Sequence, residues 1–130
     1  MSKIYDVIIL GAGPAGLAAG LYAGRSRLST LIVEKGQDGG QIAITDEIEN
    51  YPGQSLEKES GPTLIARMTA QAQKFGAERV RDVIQSVELE GDVKKLTGSQ
   101  GEYFGRTVIL ATGAFPRPIG CKNEGKFMGK

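Results

Sequence analysis

Three glycines, Gly11, Gly13 and Gly16, stand at a spacing that lets a chain hold a pyrophosphate, in the segment Gly11-Ala12-Gly13-Pro14-Ala15-Gly16. Each contributes something different, since Gly11 allows a tight turn, Gly13 lets backbone approach the phosphates, and Gly16 lets a helix pack on a strand. Pro14 and Ala15 then open a helix, proline being suited to a first turn. The free N–H groups of that helix and the positive end of its dipole would meet the anion without any charged side chain. Glu34 follows about 20 residues on, where a carboxylate can reach both hydroxyls of a ribose. It would repel a 2′-phosphate, so the site suits FAD or NAD rather than NADP. The same residues would also serve a plain glycine turn in a parallel sheet, with Glu34 a solvated strand end.

Two absences narrow the chemistry further. The 130 residues contain no histidine, which removes Ser-His-acid and Cys-His mechanisms and any plausible zinc site. Cys121 is the single cysteine, so the chain by itself cannot cycle a dithiol. Set in a Gly120-Cys121-Lys122 connector with no charge partner in view, it reads as inert. No catalytic residue and no metal ligand is therefore expected in these residues.

The elements that must position the glycines follow from apolar spacing. An apolar strand is expected over 5–10, a helix over about 14–26, and a second apolar strand over 29–33 that delivers Glu34. Residues 35–50 form a long loop with Gly36, Gly39 and Gly40, ending at a Tyr51-Pro52-Gly53 turn. Such a stretch inside a small domain is usually functional or disordered. A helix starts at Ser60 with Gly61-Pro62; Leu64, Ile65, Met68, Ala72 and Phe75 form its core face, and Gly76 stops it. Val80 opens a short strand, and Val83, Ser86, Val87 and Leu89 belong to another. Gly91-Asp92 turns the chain into a strand over 93–97. A third strand through Tyr103 and Phe104 would complete a small antiparallel meander. The last strand, 107–111, ends at Thr112-Gly113-Ala114. The expected fold is α/β, a Rossmann-like doubly wound parallel sheet with the meander inserted on one side.

Composition bounds the rest. The length suits one domain or most of one. A formal net charge of +1 leaves no electrostatic footprint for nucleic acid or an anionic membrane. No apolar run approaches the roughly 20 residues of a membrane span, and Met1-Ser2-Lys3 before a strand is no signal peptide, so a cytoplasmic location is expected.

Taken together, the Gly11 to Gly16 segment, Gly39-Gly40-Gln41-Ile42, Glu49-Asn50-Tyr51-Pro52-Gly53 and Ala111-Thr112-Gly113-Ala114 resemble the N-terminal FAD segment of the low-molecular-weight thioredoxin reductases. The resemblance runs from about Tyr5 to the last residue. It implies that Gly11 to Gly16 hold the FAD pyrophosphate and that Glu34, with Lys35 beside it, serves the adenosine ribose. Gly40 and Gln41 would lie against the flavin, where glycine permits close approach and an amide can meet the donor and acceptor edge of the ring. The resemblance places Asn50 in the same pocket, Ala111, Thr112 and Gly113 close to FAD, and the backbone of Val83 at the adenine. A glycine turn, a turn asparagine and a strand-opening valine need no cofactor, and those readings stand beside the functional ones. The wider disulfide reductases carry cysteines directly after the glycine pair of the loop, resembling GGxCxxxGC. Gln41 and Ile42 stand there instead, which fits the class whose CxxC lies in the pyridine-nucleotide domain.

The resemblance also implies an organisation. Residues 1–115 would be the N-terminal segment of the FAD domain and 116–130 a crossover towards a nicotinamide and CxxC domain, with 124–130 its start. The whole protein would pass electrons from NADPH, NADH or ferredoxin through FAD to a dithiol and then to thioredoxin, as a homodimer. Relatives with the same motifs accept electrons from ferredoxin or serve a peroxide-reducing protein. A different class of reading is a free-standing FAD-binding module without turnover, whose incomplete sheet would expose apolar surface.

Overall fold

The alternation of side chains along the first strand decides the layers. In the computed structural model, which describes residues 2–127, this strand is β1 (Ile4–Leu10). Successive side chains of a strand point to opposite faces. Val7 and Ile9 join one buried cluster with Ile32, Leu17, Ala23, Ile65 and Ala72. Ile8 joins the other, with Leu31, Val33 and Leu96. The first cluster contains both helices, α1 (Pro14–Arg25) and α2 (Gly61–Lys74), so both cover one face of the sheet.

The remaining strands are β2 (Thr30–Glu34), β3 (Glu78–Arg81), β4 (Ile84–Glu88), β5 (Lys94–Gly98) and β6 (Glu102–Leu110). The sheet order is β3-β2-β1-β6-β5-β4. β3, β2, β1 and β6 run parallel, and β5 and β4 continue the sheet antiparallel. This is the expected α/β class, with helices crossing between parallel strands.

Helix α1 packs closely because its facing residues are small. Gly16, Gly20 and Gly24 recur every fourth residue: a Cβ at Gly16 would lie 1.8 Å from the Gly11 carbonyl oxygen and one at Gly20 2.7 Å from Ile32 Cδ1 of the sheet, while one at Gly24 would lie 2.7 Å from the Phe75 carbonyl oxygen at the end of α2. Helix α2 begins as expected: the Thr63 N–H donates to Ser60 Oγ at 3.3 Å, with Gly61 and Pro62 in the first turn. Its end is closed by Gly76, at φ +94°, and by the Ala77 N–H donating to the Ala72 carbonyl at 3.2 Å.

Three expectations change. The meander's third strand and the last parallel strand are one strand: β6 pairs with β5 through Glu102 to Gly105 and with β1 from Phe104 to Leu110. Gly105 does not break it; a Cβ there would lie 2.8 Å from Ile8 Cγ1, so the glycine serves close packing inside a continuous strand. The meander is thus the sheet's own edge, and Ala111 lies just beyond the strand. Phe75 leaves the core face, being 42% exposed at the C-cap of α2 beside Arg25 and Lys74. The loop over 35–50 contains a 3-10 turn, Gly40–Ile44. After β6 the chain is irregular until a second such turn, Glu124–Lys126, and residues 128–130 of the expected crossover lie outside the described residues.

Candidate functional site

The carboxyl ends of β1, β2 and β6 meet at one point. The Gly11 N–H donates to the Val33 carbonyl at 2.8 Å and the Ala111 N–H to the Leu10 carbonyl at 2.9 Å, so the chain leaves all three strands at the same level. Gly11 turns with φ +114°, and a Cβ there would lie 2.1 Å from the Ala111 carbonyl oxygen. Gly16 is equally fixed, since the turn and the helix touch through it.

Gly13 is different. Its φ of −74° suits any residue, and nothing lies within 4 Å of where its Cβ would be. The fold itself makes no demand for glycine there. Gly13 faces a cleft of about 790 Å³, whose walls include Gly11, Pro14, Ala15, Glu34, Lys35, Gly40, Gln41, Ala111, Thr112 and Gly113. The N-terminus of α1 opens at this cleft with no side-chain cap and no acidic residue in its first turn. A cradle of small residues at an uncapped helix N-terminus fits a bound pyrophosphate.

Glu34 is held at the cleft by backbone donors. Its Oε2 accepts the Ala12 N–H at 2.8 Å and its Oε1 the Gly36 N–H at 3.0 Å. Each carboxylate oxygen has a further lone pair, which leaves both able to accept a ribose hydroxyl. The loop after Glu34 is tied down behind the cleft. The Gly39 N–H donates to the Ala12 carbonyl at 2.8 Å, Arg79 Nε donates to Asp38 Oδ1 at 2.6 Å, and the Thr69 hydroxyl donates to Asp38 Oδ2 at 3.2 Å. That anchoring brings Gly40 opposite Gly13, a Cβ at Gly40 lying 3.8 Å from Gly13 Cα. Gln41 reaches across, its amide donating to the Ala114 carbonyl at 3.4 Å.

A smaller pocket of about 270 Å³ adjoins the cleft and shares Gly11, Glu34, Lys35 and Thr112 with it. Val83 lines this second pocket, with Leu10, Val33 and Ile84. Gly16 lies behind the cleft rather than in its wall. Asn50 is not brought to either pocket: Ile48 is the buried anchor of its loop, and the turn after it carries Asn50 into solvent. Ile42 and Ala114, quoted in the motifs but given no role, also line the cleft, as do Gly36, Gln37, Leu110 and Phe115, which the sequence reading did not assign to it. Adjacency to Glu34 could have suggested Gly36 and Gln37. Phe115 sits in an irregular segment where no periodicity points to it. Cys121 is free and exposed in that same segment.

No helix among the described residues is long and apolar enough to cross a membrane. Residues 5–130 match the family model described as pyridine nucleotide-disulphide oxidoreductase. The whole chain is 50% identical to a thioredoxin reductase of Peptoclostridium acidaminophilum, 41% of which it covers. The crystal structure of thioredoxin reductase from Streptococcus pyogenes superposes with a TM-score of 0.85 at 43% identity, over 92% of this chain and 39% of that one. A ferredoxin-flavin thioredoxin reductase from Clostridium acetobutylicum superposes with a TM-score of 0.78 at 26% identity, over 89% of this chain and 40% of that one. The chain thus spans about two fifths of the length of these relatives. With four parallel strands in a mixed sheet, a glycine cradle and a family match over nearly its whole length, the chain belongs to the pyridine nucleotide-disulphide oxidoreductase family.

Proposed function

We propose that these residues are the N-terminal FAD-binding part of a thioredoxin-reductase-like flavoprotein, with 1–115 contributing to the flavin domain and 116–130 leading to a nicotinamide and CxxC domain. The observation that carries this reading is Gly13, a glycine the fold does not require, facing a cleft beside an uncapped helix N-terminus. Gly11 and Gly16 shape the turn, the α1 N-terminus and Gly13 receive the pyrophosphate, and Glu34 with Lys35 receives the adenosine ribose. Gly40, Gln41 and the Ala111-Thr112-Gly113 turn line the flavin side, while Val83 borders the base. When bound, FAD would relay electrons from a reduced donor to a dithiol of the whole protein, and thioredoxin would be the acceptor. The contribution of these residues is to bind and orient the cofactor. A cytoplasmic homodimer using NADPH or NADH completes the reading. The 50% identity to a thioredoxin reductase supports it.

The likeness to a ferredoxin-flavin thioredoxin reductase supports a second reading in which ferredoxin is the donor. A second glycine motif after residue 130 would favour the nucleotide, and its absence ferredoxin. Titrating the purified chain with FAD while following flavin fluorescence tests the first reading. Weak, saturable binding that Gly13→Val abolishes is expected; no binding by the unaltered chain removes the reading. Tight stoichiometric binding would instead favour a self-sufficient FAD module.

A further inference from the structure

One buried carboxylate plays no part in the function proposed above. Asp82, 3% exposed, lies between β3 and β4 in the wall of the smaller pocket. Its own N–H donates to the Glu34 carbonyl at 3.1 Å, which fastens it to the end of β2. Its side chain collects donors from two further segments. Oδ1 accepts the Val83 N–H at 2.7 Å, both oxygens accept the Gln100 N–H at 3.2 Å, and Oδ2 accepts the Tyr103 hydroxyl at 2.8 Å. Strand β5 makes room for it: a Cβ at Gly98 would lie 2.2 Å from Oδ2. An ionised carboxylate only accepts, and every partner here donates, which offsets the cost of burying it. Burial pushes its pKa up, but the Tyr103 hydroxyl and the backbone donors outweigh that and hold it below the usual value.

The partners matter for where they lie. Val83 and Ile84 form one side of the smaller pocket, Glu34 and Gly11 the other, and Asp82 is the group that joins the sides. We propose that Asp82 is a positioning residue for the adenosine end of the bound dinucleotide: it ties Val83, Gln100 and Tyr103 to one buried carboxylate and sets the Val83 wall at a fixed distance from Glu34. This rests on the dinucleotide reading of the cleft. Without the carboxylate, the Val83 and Gln100 N–H groups lose their acceptor and the wall is free to move. The base then loses its apolar contact while the phosphate cradle, built by β1 and α1, stays intact.

The test uses the whole chain and ADP, which carries the adenosine and pyrophosphate but no flavin, with affinity measured by calorimetry and folding by thermal melting. Asp82→Ala is expected to weaken ADP about tenfold at a temperature where it remains folded. Asp82→Asn keeps an acceptor for Val83 and Gln100 and turns its amide to the Tyr103 oxygen, so it should recover most of the affinity. Leu64→Ala, a truncation of a buried α2 side chain outside both pockets, should lower the melting temperature yet bind ADP as the unaltered chain does. Should Asp82→Ala fail to fold, Tyr103→Phe carries the same expectation at about threefold. Affinity within about twofold of the unaltered chain in Asp82→Ala, or in Tyr103→Phe where that stands in, overturns the proposal alone, as does an equal loss in Leu64→Ala. No ADP binding by the unaltered chain removes the dinucleotide reading and the proposal with it.

Discussion

Ile9 of β1 and Ile109 of β6 are register partners in neighbouring strands, yet Ile9 is fully buried and Ile109 is 40% exposed. On the opposite face the next pair also differs, Leu10 packing against the Ile8 cluster while Leu110 is 59% exposed. Residue type, register and sheet are shared, so the difference comes from what covers each strand. For Ile9 the cover is α1 and α2, whereas among the described residues no side chain of β6 joins the buried cluster under those helices. A parallel strand aliphatic on both faces is suited to cover on both. Strand β6 thus carries the sequence of a buried strand without its cover, and under the proposed function the rest of the flavin domain supplies that cover.

The largest expected effect removes the difference by uncovering β1. Gly16→Val places atoms where even a Cβ would lie 1.8 Å from the Gly11 carbonyl oxygen, so α1 must lift from the sheet. Overpacking of this kind costs about 1–3 kcal/mol or more, and backbone cannot yield as a side-chain tip can. Loss of a cooperative thermal transition, followed by circular dichroism, is the expected result. A variant that melts like the parent would mean that this contact does not hold the helix down.

Truncating the matched pair measures the contrast directly. Ile9→Ala leaves a cavity in a sealed layer and should cost about 2–5 kcal/mol. Ile109→Ala truncates a side chain that water already reaches and should cost about 1 kcal/mol. Urea unfolding of both variants gives the two values. Equal losses would show that β6 is covered in solution, for which self-association of the chain is the route to check by sedimentation.

The glycines permit the same contrast inside one turn. Gly13→Ala should cost no more than the roughly 1 kcal/mol of a poorer helix N-cap, since its Cβ meets nothing, while FAD binding falls about tenfold or more. If Gly13→Ala destabilises the chain well beyond that, the glycine is structural and the cleft loses its strongest mark of a ligand.

Much of this was legible because it is local. The apolar run of β1, the glycine spacing and the acid after β2 were enough to place the turn, α1 and Glu34. The stripe Gly16, Gly20 and Gly24 was also there to be read, every fourth residue on one helix face. What stayed hidden depends on partners distant in sequence. Gly105 looks like an interruption until Ile8 is seen against it. Phe75 has helical spacing for the core, but α2 reaches its C-cap there. Asp82 resembles any acid in a turn, because its donors come from Gln100 and Tyr103. Asn50 lies in an exposed turn outside the cleft, with Ile48 the buried residue of that loop.

The smallest expected effect separates the two layers by pH. Burial and donation to Asp82 raise the Tyr103 phenol from 10.0 to about 12. Its folded value lies above its unfolded one, so its contribution is complete below pH 10.0 and is lost as pH climbs towards about 12. Tyr5, which donates to Glu78 at 2.6 Å, is raised to about 12 as well, chiefly by burial. Asp82 has the opposite sign: its pKa is lowered, so its contribution is present above 3.8 and fades as acid takes it through the folded value. The corner joining β3 to β4 and β6 therefore loosens at both extremes, whereas the buried cluster under α1 and α2 contains no titratable side chain. Tyr103→Phe should lower stability by about 1 kcal/mol near neutrality, one hydrogen bond's worth. It should also flatten part of the alkaline decline, Tyr5 retaining the remainder. Urea midpoints measured across pH 10.0 to about 12 for both chains test this. An alkaline decline of the same slope in both would place the loss outside the Asp82 corner and remove its share in the comparison.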